Sequence, residues 1–360
     1  MKQNHPRELL SISPEWDMAQ LSEALLRAIN GSGPALSCAE AGTNSVPTEI
    51  ALVIPTSGSS GTPKAVALTA GALLASARSC HDFLGAKPGE RWSLLLPVNH
   101  IAGINVLLRA MGLGTPVIDL RNTDEYIDVE YTAIVPTQLH RALHGDGALL
   151  SHLKNCKAIL VGGGATSPLL EQEALAAGLN IVTTYGMSEM SGGCIYNHQA
   201  IDGAEVKIRE DGRVLLRGTM MASTYLNNQA LWDSSLSDGW FITPDLGEMR
   251  DGKLFIIGRS DDQIISGGEK ISLSHIENFL HSEFEGIRFI AFGVPDLEWG
   301  AKLILASDLT PNIELIREKI RSKFGGHAVP KEFFELNPLP LQGIGKPDRI
   351  AAREAFLHRE

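Results

Sequence analysis

The chain has 360 residues, of which 44% are hydrophobic and 20% are charged, and its formal net charge is −11. This length suits one large and one smaller domain, and the acidic balance argues against a nucleic-acid-binding protein, which needs a basic face. No apolar run approaches the roughly 20 residues that span a bilayer, and the first residues lack the apolar core of a signal peptide. The four scattered cysteines form no CxxC pair, which predicts reduced thiols and a cytoplasmic location.

The predicted elements fall into three stretches. A helix capped by Ser13 is followed by small, polar residues up to Thr48, which predict a loop. From residue 50 to about 184, buried strands alternate with helices, as in a mainly parallel sheet. Short strands separated by Asp-Gly turns then predict antiparallel hairpins, and a helix–strand–strand–helix pattern follows Arg259. We therefore predict an α/β fold with a large domain over residues 1–260 and a small α+β domain over 261–360.

The most specific motif is the run from Thr56 to Lys64, which follows a predicted strand and precedes a predicted helix. Its hydroxyls, backbone N–H groups and lysine suit an anionic phosphate chain, and a surface turn is the alternative. Pro63 and Ala65 exclude a Walker A loop, which needs glycine before its lysine and Ser or Thr after it. The candidate phosphate ligands are Thr56, Ser57, Gly58, Ser59, Ser60, Gly61, Thr62 and Lys64.

This run resembles the phosphate-binding segment of the adenylate-forming superfamily, which includes acyl-CoA synthetases, peptide-synthetase adenylation domains and luciferases. Four further segments occur in that family's order and extend the resemblance over most of the chain from residue 51 onward. The resemblance implies an enzyme that joins a carboxylic acid to AMP and then passes the acyl group to CoA. ATP, CoA and the acid would be its substrates, and Mg²⁺ its cofactor.

The segment Tyr185-Gly186-Met187-Ser188-Glu189 resembles the family's YGxTE segment. The resemblance implies that the Ser188 hydroxyl contacts phosphate and that Glu189 helps to hold Mg²⁺, an ion that prefers oxygen ligands. Taken alone, Glu189 could equally be a surface carboxylate.

Two other segments resemble the remaining nucleotide contacts. Gly162, Gly163, Gly164 and Ala165 resemble the strip along the adenine, because glycines let a flat ring approach the backbone; an ordinary turn is the alternative. Asp245 resembles the aspartate that accepts the ribose hydroxyls, although Pro244 stands where the family has glycine. Arg259 resembles the arginine near the ribose and phosphate, with a salt bridge in a turn as the alternative.

The C-terminal residues resemble the family's mobile lid. Asp261 matches the hinge, Gly267 and Gly268 match the loop along the pantetheine channel, and Lys346 matches the catalytic lysine. The resemblance implies that Lys346 bridges the carboxylate of the acid and the α-phosphate of ATP. Rotation of the small domain about Asp261 would then withdraw Lys346 and bring Gly267 and Gly268 to face the CoA thiol. Alone, a lysine in such a loop would more often be solvated.

His100 resembles the histidine that borders the acyl pocket, and Ser191, Gly192 and Gly193 are expected to shape the same cavity. Arg109 lies among apolar helix residues, where a buried guanidinium needs an anionic partner. That partner is either an internal Asp or Glu or a second carboxylate on the substrate. Together with the Gly-Lys-Pro-Asp-Arg ending, this pattern is most similar to the o-succinylbenzoate–CoA ligases of menaquinone synthesis.

Only about 50 residues precede the phosphate run, fewer than adenylate-forming enzymes usually have. We expect a missing N-terminal subdomain and a homodimer in which the partner subunit protects the uncovered sheet edge. Two other functions stay open. One is a CoA ligase for another aromatic or aliphatic acid, and the other is a non-catalytic nucleotide-binding relative.

Overall fold

The computed structural model describes residues 6–56, 64–123, 125–226, 228–260, 262–284, 286–342 and 346–359, and of Gln342 and Lys346 it describes the backbone alone. The helices in these ranges are α1 (Met18–Ile29), α2 (Ala70–Leu84), α3 (Ile101–Gly112), α4 (Pro136–His144), α5 (Gly147–Asn155), α6 (Pro168–Ala176), α7 (Gln229–Ser234), α8 (Leu273–Glu283), α9 (Ile313–Phe324) and α10 (Arg349–Leu357).

The strands in the same ranges are β1 (Arg7–Ser11), β2 (Ala35–Ser37), β3 (Ser45–Val46), β4 (Ile50–Thr56), β5 (Lys64–Thr69), β6 (Trp92–Leu94), β7 (Ile118–Asp119), β8 (Tyr131–Ile134), β9 (Ala158–Val161), β10 (Ile181–Met187), β11 (Gly192–Tyr196), β12 (Gln199–Ala200), β13 (Ala204–Ile208), β14 (Arg213–Gly218), β15 (Thr224–Tyr225), β16 (Leu236–Ser237), β17 (Trp240–Arg250), β18 (Lys253–Arg259), β19 (Gln263–Ser266), β20 (Glu269–Ser272), β21 (Phe289–Asp296), β22 (Gly300–Ser307), β23 (Glu332–Glu335), β24 (Leu341–Gln342) and β25 (Lys346–Pro347).

A mainly parallel sheet confirms the predicted α/β class. Its strand order is β12-β11-β10-β9-β8-β6-β7, in which β10, β9, β8, β6 and β7 run parallel and β11 is antiparallel to both of its neighbours, β10 and β12. Helices α2 and α3 pack in the core on one face, and α4, α5 and α6 pack in a separate core on the other. Since both faces are covered, the strands read as continuous apolar runs, which is why the sequence located them.

The phosphate run connects the two strands of an antiparallel hairpin, and the helix predicted after it is confirmed as α2. Thr56 at the end of β4 is paired with Lys64 at the start of β5. Helix α2 begins at Ala70, where the Thr69 side chain accepts a hydrogen bond from the Ala72 N–H. The hairpin belongs to a second sheet with strand order β15-β5-β4-β2-β1-β3.

The N-terminal predictions need two corrections. Helix α1 begins at Met18 rather than near Ser13, because Asp17 and Gln20 form a reciprocal capping box while the Ser13 hydroxyl accepts a bond from Glu15 N in a local turn. The predicted loop up to Thr48 contains β2 and β3. Strand β2 is fully buried and pairs in parallel with β1 and β4, so its small residues reflect close packing. The short β3 forms the sheet edge, and the expected homodimer stays a prediction.

A third sheet is antiparallel, with order β13-β14-β17-β16 and β18 paired to β17, which confirms the predicted hairpins. A fourth sheet has the order β20-β19-β22-β21, with β23 paired to β22. Helices α8 and α9 pack in a core on one of its faces, and α10 packs in a separate core on the other.

The proposed domain boundary stays a prediction, since Asp261 lies outside the described residues. None of the helices in the described ranges has the length and apolarity that a membrane crossing requires.

Arg349, the first residue of α10, is held by two carboxylates. Its Nη2 atom lies 3.0 Å from Asp262 Oδ2 and also pairs with Glu277, while its Nε donates to Ala291 O at 3.1 Å. The other Glu277 oxygen accepts the Ala291 N–H at 2.7 Å. Burial raises the pKa of Glu277 to about 7; Asp262 adds to this increase and Arg349 opposes it. This cluster connects the start of α10 to the residue next to the proposed hinge.

We expect Glu277→Gln to remove a pH dependence of stability. An acid whose pKa is 4.5 when unfolded and about 7 when folded binds more protons in the folded state, so stability falls as pH rises through that window. Relative to Glu277→Gln, the native protein should lose up to about 3 kcal/mol of unfolding free energy between these pH values. Urea unfolding at several pH values measures this difference.

Glu283→Gln is the matched control, because it lies on the same helix and its carboxylate pairs with Lys319 at the surface. The prediction is contradicted if the difference in unfolding free energy between the native protein and Glu277→Gln does not change with pH, or if it shifts in favour of the native protein as the pH rises. Either result would show that the ion pair with Arg349 outweighs the effect of burial on the pKa of Glu277.

Candidate active site

Tyr185, Asp245 and Arg259 meet where the parallel sheet and the third sheet come together. Tyr185 lies near the end of β10, and Asp245 and Arg259 are directly paired on β17 and β18. The Tyr185 hydroxyl donates to Asp245 Oδ2 at 2.7 Å, and Arg259 Nη1 lies 3.3 Å from Asp245 Oδ1. Burial and the Asp245 carboxylate raise the pKa of Tyr185 well above its usual value, so the phenol remains a donor.

Pro244 does not interrupt the strand that carries Asp245. Thr243 Oγ1 donates to Val214 O at 2.8 Å and accepts the Asp245 N–H at 3.1 Å. The Pro244 carbonyl accepts both the N–H and the hydroxyl of Ser260, at 2.7 and 2.9 Å. The local backbone is therefore well tied, and the Asp245 side chain points towards Tyr185.

Lys64 and Glu189 are brought together by Tyr225, a residue that the sequence analysis missed. The Tyr225 hydroxyl donates to Glu189 Oε1 at 2.7 Å, and Lys64 Nζ lies 5.1 Å from the centre of the Tyr225 ring. Thr56 Oγ1 donates to Lys64 O at 3.3 Å across the hairpin. The predicted ligands between them (Ser57, Gly58, Ser59, Ser60, Gly61 and Thr62) lie outside the described residues.

The predicted glycines allow close approach of backbone around β10. An ideal Cβ on Gly162 would lie 2.2 Å from Thr184 Oγ1, and one on Gly186 would lie 2.0 Å from Gly192 O. Gly163 has a φ of 78°, a conformation that favours glycine. Gly163, Gly164 and Ala165 are exposed after β9, which leaves this strip accessible to a flat ligand.

Arg109 is buried with 4% exposure on α3. Its Nη2 donates to the Tyr196 hydroxyl at 3.2 Å, and its guanidinium lies 5.2 Å from the centre of the Trp92 ring. Over the described ranges, no carboxylate pairs with it, and its Nε has no hydrogen-bond partner. The internal ion pair that the sequence left open is therefore not found among the described residues.

The other predicted acyl residues surround the same helix. His100 is exposed at the N-cap position of α3. One turn before Arg109, Asn105 Nδ2 donates to Ser191 O at 2.8 Å. Ser191 itself is fully buried, with a φ of 52°, and its hydroxyl donates to Met220 O at 2.8 Å. Gly192 and Gly193 begin β11, where an ideal Cβ on Gly193 would lie 3.0 Å from the Tyr196 ring.

Residues 185–196 take part in all three groups of contacts. Tyr185 reaches Asp245, Glu189 reaches Tyr225, and Tyr196 reaches Arg109. Ser188 opens the 3-10 turn between β10 and β11, and its carbonyl accepts the Ser191 N–H at 3.0 Å. One continuous segment thus connects the predicted nucleotide and acyl residues, as a site that joins an acid to a nucleotide requires.

The predicted lid residues are only partly described. Gly267 and Gly268, with φ of 60° and 86°, turn between β19 and β20, and the Gly267 N–H donates to Trp299 O at 2.9 Å. Asp261 lies outside the described residues, and Lys346 is placed by its backbone in β25. A cavity of about 580 Å³ is lined partly by Arg259, Asp262 and Arg349.

Comparison with known proteins identifies the family. The sequence profile of the family described as "AMP-binding enzyme" matches residues 10–226. The chain is 35% identical to the "Probable 2-succinylbenzoate--CoA ligase" of Mycobacterium tuberculosis, with 94% of this chain and 95% of that protein covered. It is 30% identical to the 2-succinylbenzoate–CoA ligase of Listeria monocytogenes, with 84% and 70% covered. The protein belongs to the AMP-binding enzyme family.

Solved structures agree with this fold. MenE from E. coli with a bound OSB-AMS analogue superposes with a TM-score of 0.73 at 23% identity, covering 99% of this chain and 90% of that one. The o-succinylbenzoate coenzyme A synthetase from Bacillus subtilis in complex with AMP gives a TM-score of 0.74 at 22% identity, with 91% and 80% covered. At these identities the likeness concerns the fold.

We expect Gly186→Ala to destabilise the site. The added Cβ would collide with the backbone of Gly192, which cannot move aside by changing a rotamer. The free energy of unfolding should fall by about 1–3 kcal/mol, as for other overpacked sites. Gly147→Ala, at the start of α5 with nothing within 4 Å of its Cβ, is the control. Denaturant titration measures both, and equal stability of the two variants would contradict the close approach.

Proposed function

We propose that the protein is a 2-succinylbenzoate–CoA ligase. A carboxylate oxygen of the acid bonds to the α-phosphorus of ATP as the bond to pyrophosphate breaks, which gives an acyl-adenylate. The thiol sulfur of CoA then bonds to the acyl carbon as AMP leaves and the thiol proton is released. The observation that carries the choice of acid is Arg109. Its guanidinium is buried and has no carboxylate partner among the described residues. It contacts Tyr196, at the end of the segment 185–196 that also reaches the predicted nucleotide residues.

Arg109 suits an acid with two carboxylates. 2-Succinylbenzoate can be activated at one carboxylate while the other remains ionised and accepts hydrogen bonds from the guanidinium fork. An uncompensated buried charge destabilises the free protein, so a bound carboxylate would relieve that cost. The names of the relatives point to the same acid.

The nucleotide is proposed to lie along residues 162–165, with its ribose at Asp245 and its phosphates at the Thr56–Lys64 run. Asp245 and Arg259 are already oriented by Tyr185 and by the β17–β18 pairing, so little ordering is needed when ATP binds. Lys64 supplies a positive charge near the phosphates. Catalysis of this kind depends on positioning and charge neutralisation, with little covalent work by the protein.

Glu189 is the residue proposed to hold Mg²⁺. Within the described ranges, no three His, Cys, Asp or Glu side chains cluster as a metal site. That composition fits an ion that is bound by one carboxylate and otherwise by nucleotide phosphates. When bound, Mg²⁺ neutralises phosphate charge. Ser188, adjacent to Glu189, is proposed to contact the same phosphates.

The two half-reactions are proposed to use different poses of residues 261–360. Lys346 would orient the carboxylate during adenylation, and rotation about Asp261 would then bring Gly267 and Gly268 towards the thiol arm. The positive φ of both residues favours glycine, so neither adds a side chain of its own to this turn, which supports a channel for a thin arm. The cytoplasm is the proposed compartment, since all four cysteines are buried and unpaired.

A screen of carboxylic acids with ATP, Mg²⁺ and CoA, read by AMP release, tests the function. We expect the highest kcat/KM with 2-succinylbenzoate among aromatic mono-acids, aromatic diacids and aliphatic acids. Faster turnover of a mono-acid would indicate a different CoA ligase. Absence of acid-dependent exchange of labelled pyrophosphate into ATP, with every acid, would indicate a nucleotide-binding relative.

Arg109→Leu separates substrate binding from folding. We expect kcat/KM for 2-succinylbenzoate to fall at least about 100-fold, because one partner of a buried charge pair is lost. The unliganded variant should be as stable as the native protein or more so, since an uncompensated buried charge is removed. Arg109→Lys, which keeps the charge without the planar fork, should be intermediate. Full activity of Arg109→Leu together with reduced stability would assign Arg109 a structural role instead.

A further inference from the structure

Tyr225 contacts both of the predicted phosphate-site charges. It lies on the short strand β15, where it is paired with Val66 on β5, two residues after Lys64. Its hydroxyl reaches Glu189 at 2.7 Å, and its ring face lies under the Lys64 ammonium at 5.1 Å. The Tyr225 side chain thus contacts both the Glu189 carboxylate, which follows a strand of the parallel sheet, and the Lys64 ammonium, which lies on the hairpin of another sheet.

The ring of Tyr225 is fixed by packing. It has 2% exposure, and Trp232 on α7 meets it edge to face with ring centres 5.1 Å apart. Trp232 in turn stacks on Phe241 at 5.6 Å. A phenol held rigidly by this packing is well suited to keep a carboxylate in one orientation.

We propose that Tyr225 is a positioning residue for the metal–ATP complex. Its hydroxyl occupies Glu189 Oε1, so that Oε2, which accepts no hydrogen bond from the described residues, is the oxygen left for the cation. Its ring face holds Lys64 beside the phosphate run through a cation–π contact. The inference rests on the proposed ATP-dependent function and assigns the two contacts of Tyr225 separate effects on nucleotide affinity.

Two variants of Tyr225 separate these effects. Tyr225→Phe removes the hydroxyl and keeps the ring, so it should weaken ATP binding about tenfold in Mg²⁺ and leave ATP binding in EDTA unchanged, as expected for loss of one hydrogen bond to a charged group. Tyr225→Leu also removes the ring face and should weaken ATP binding in EDTA about two- to fivefold. Isothermal titration with ATP measures both without requiring an acid substrate.

Tyr131→Phe is the matched control. Tyr131 has the same 2% exposure and donates to a carboxylate, Glu90 Oε2, at the same 2.7 Å, and neither residue is among the predicted nucleotide ligands. We expect its ATP affinity to equal that of the native protein in both buffers, although both phenylalanine variants lose a comparable, partly buried hydrogen bond to a carboxylate.

Three outcomes would overturn the inference. The first is that Tyr225→Phe binds ATP in Mg²⁺ as tightly as the native protein does. The second is that Tyr225→Phe loses as much ATP affinity in EDTA as in Mg²⁺. The third is that Tyr131→Phe loses as much ATP affinity as Tyr225→Phe. A native protein that binds Mg–ATP but activates no acid would refute the proposed ligase while leaving this test intact. A native protein that does not bind ATP would overturn both.

Discussion

The hydrogen bond from Tyr185 to Asp245 connects two sheets that share no backbone ladder. Tyr185 belongs to the parallel sheet, which continues through Glu189 towards the proposed phosphates, whereas Asp245 belongs to the antiparallel sheet that continues to Arg259. The buried Asp245 carboxylate carries a large desolvation cost, which the Tyr185 hydroxyl and Arg259 offset together. The contact joins the two sheets at the proposed nucleotide site, where a backbone hydrogen bond from Leu254 N to His198 O at 2.8 Å also links them.

Much of this arrangement was predictable from local sequence. The parallel strands are continuous apolar runs between helices, so their alternation from residue 50 to about 184 was predicted, because buried strands and capped helices leave clear local patterns. Tyr185, Asp245 and Arg259 belong to separate motifs that carry the family resemblance, and their side chains contact one another in the structure.

Other features were not predictable because their causes are distant in the chain. Tyr225 lies 36 residues after Glu189 in a two-residue strand, and nothing in its immediate sequence marks it as a partner. The small residues of β2 resemble a loop in composition, although they are buried between two strands. Whether Arg109 had an internal acid partner depended on the packing of α3 against β11, which periodicity alone does not supply.

The crowding of backbone around β10 limits how the acid specificity of this protein can be changed by engineering. Gly186, Gly192 and Gly193 have no room for a side chain without displacing backbone or Asn105 and Tyr196, so this wall of the proposed acyl site has a fixed shape. Redesign for a different acid therefore has to work from the α3 side, where residues such as His100 and Arg109 can be exchanged while the opposite wall is kept.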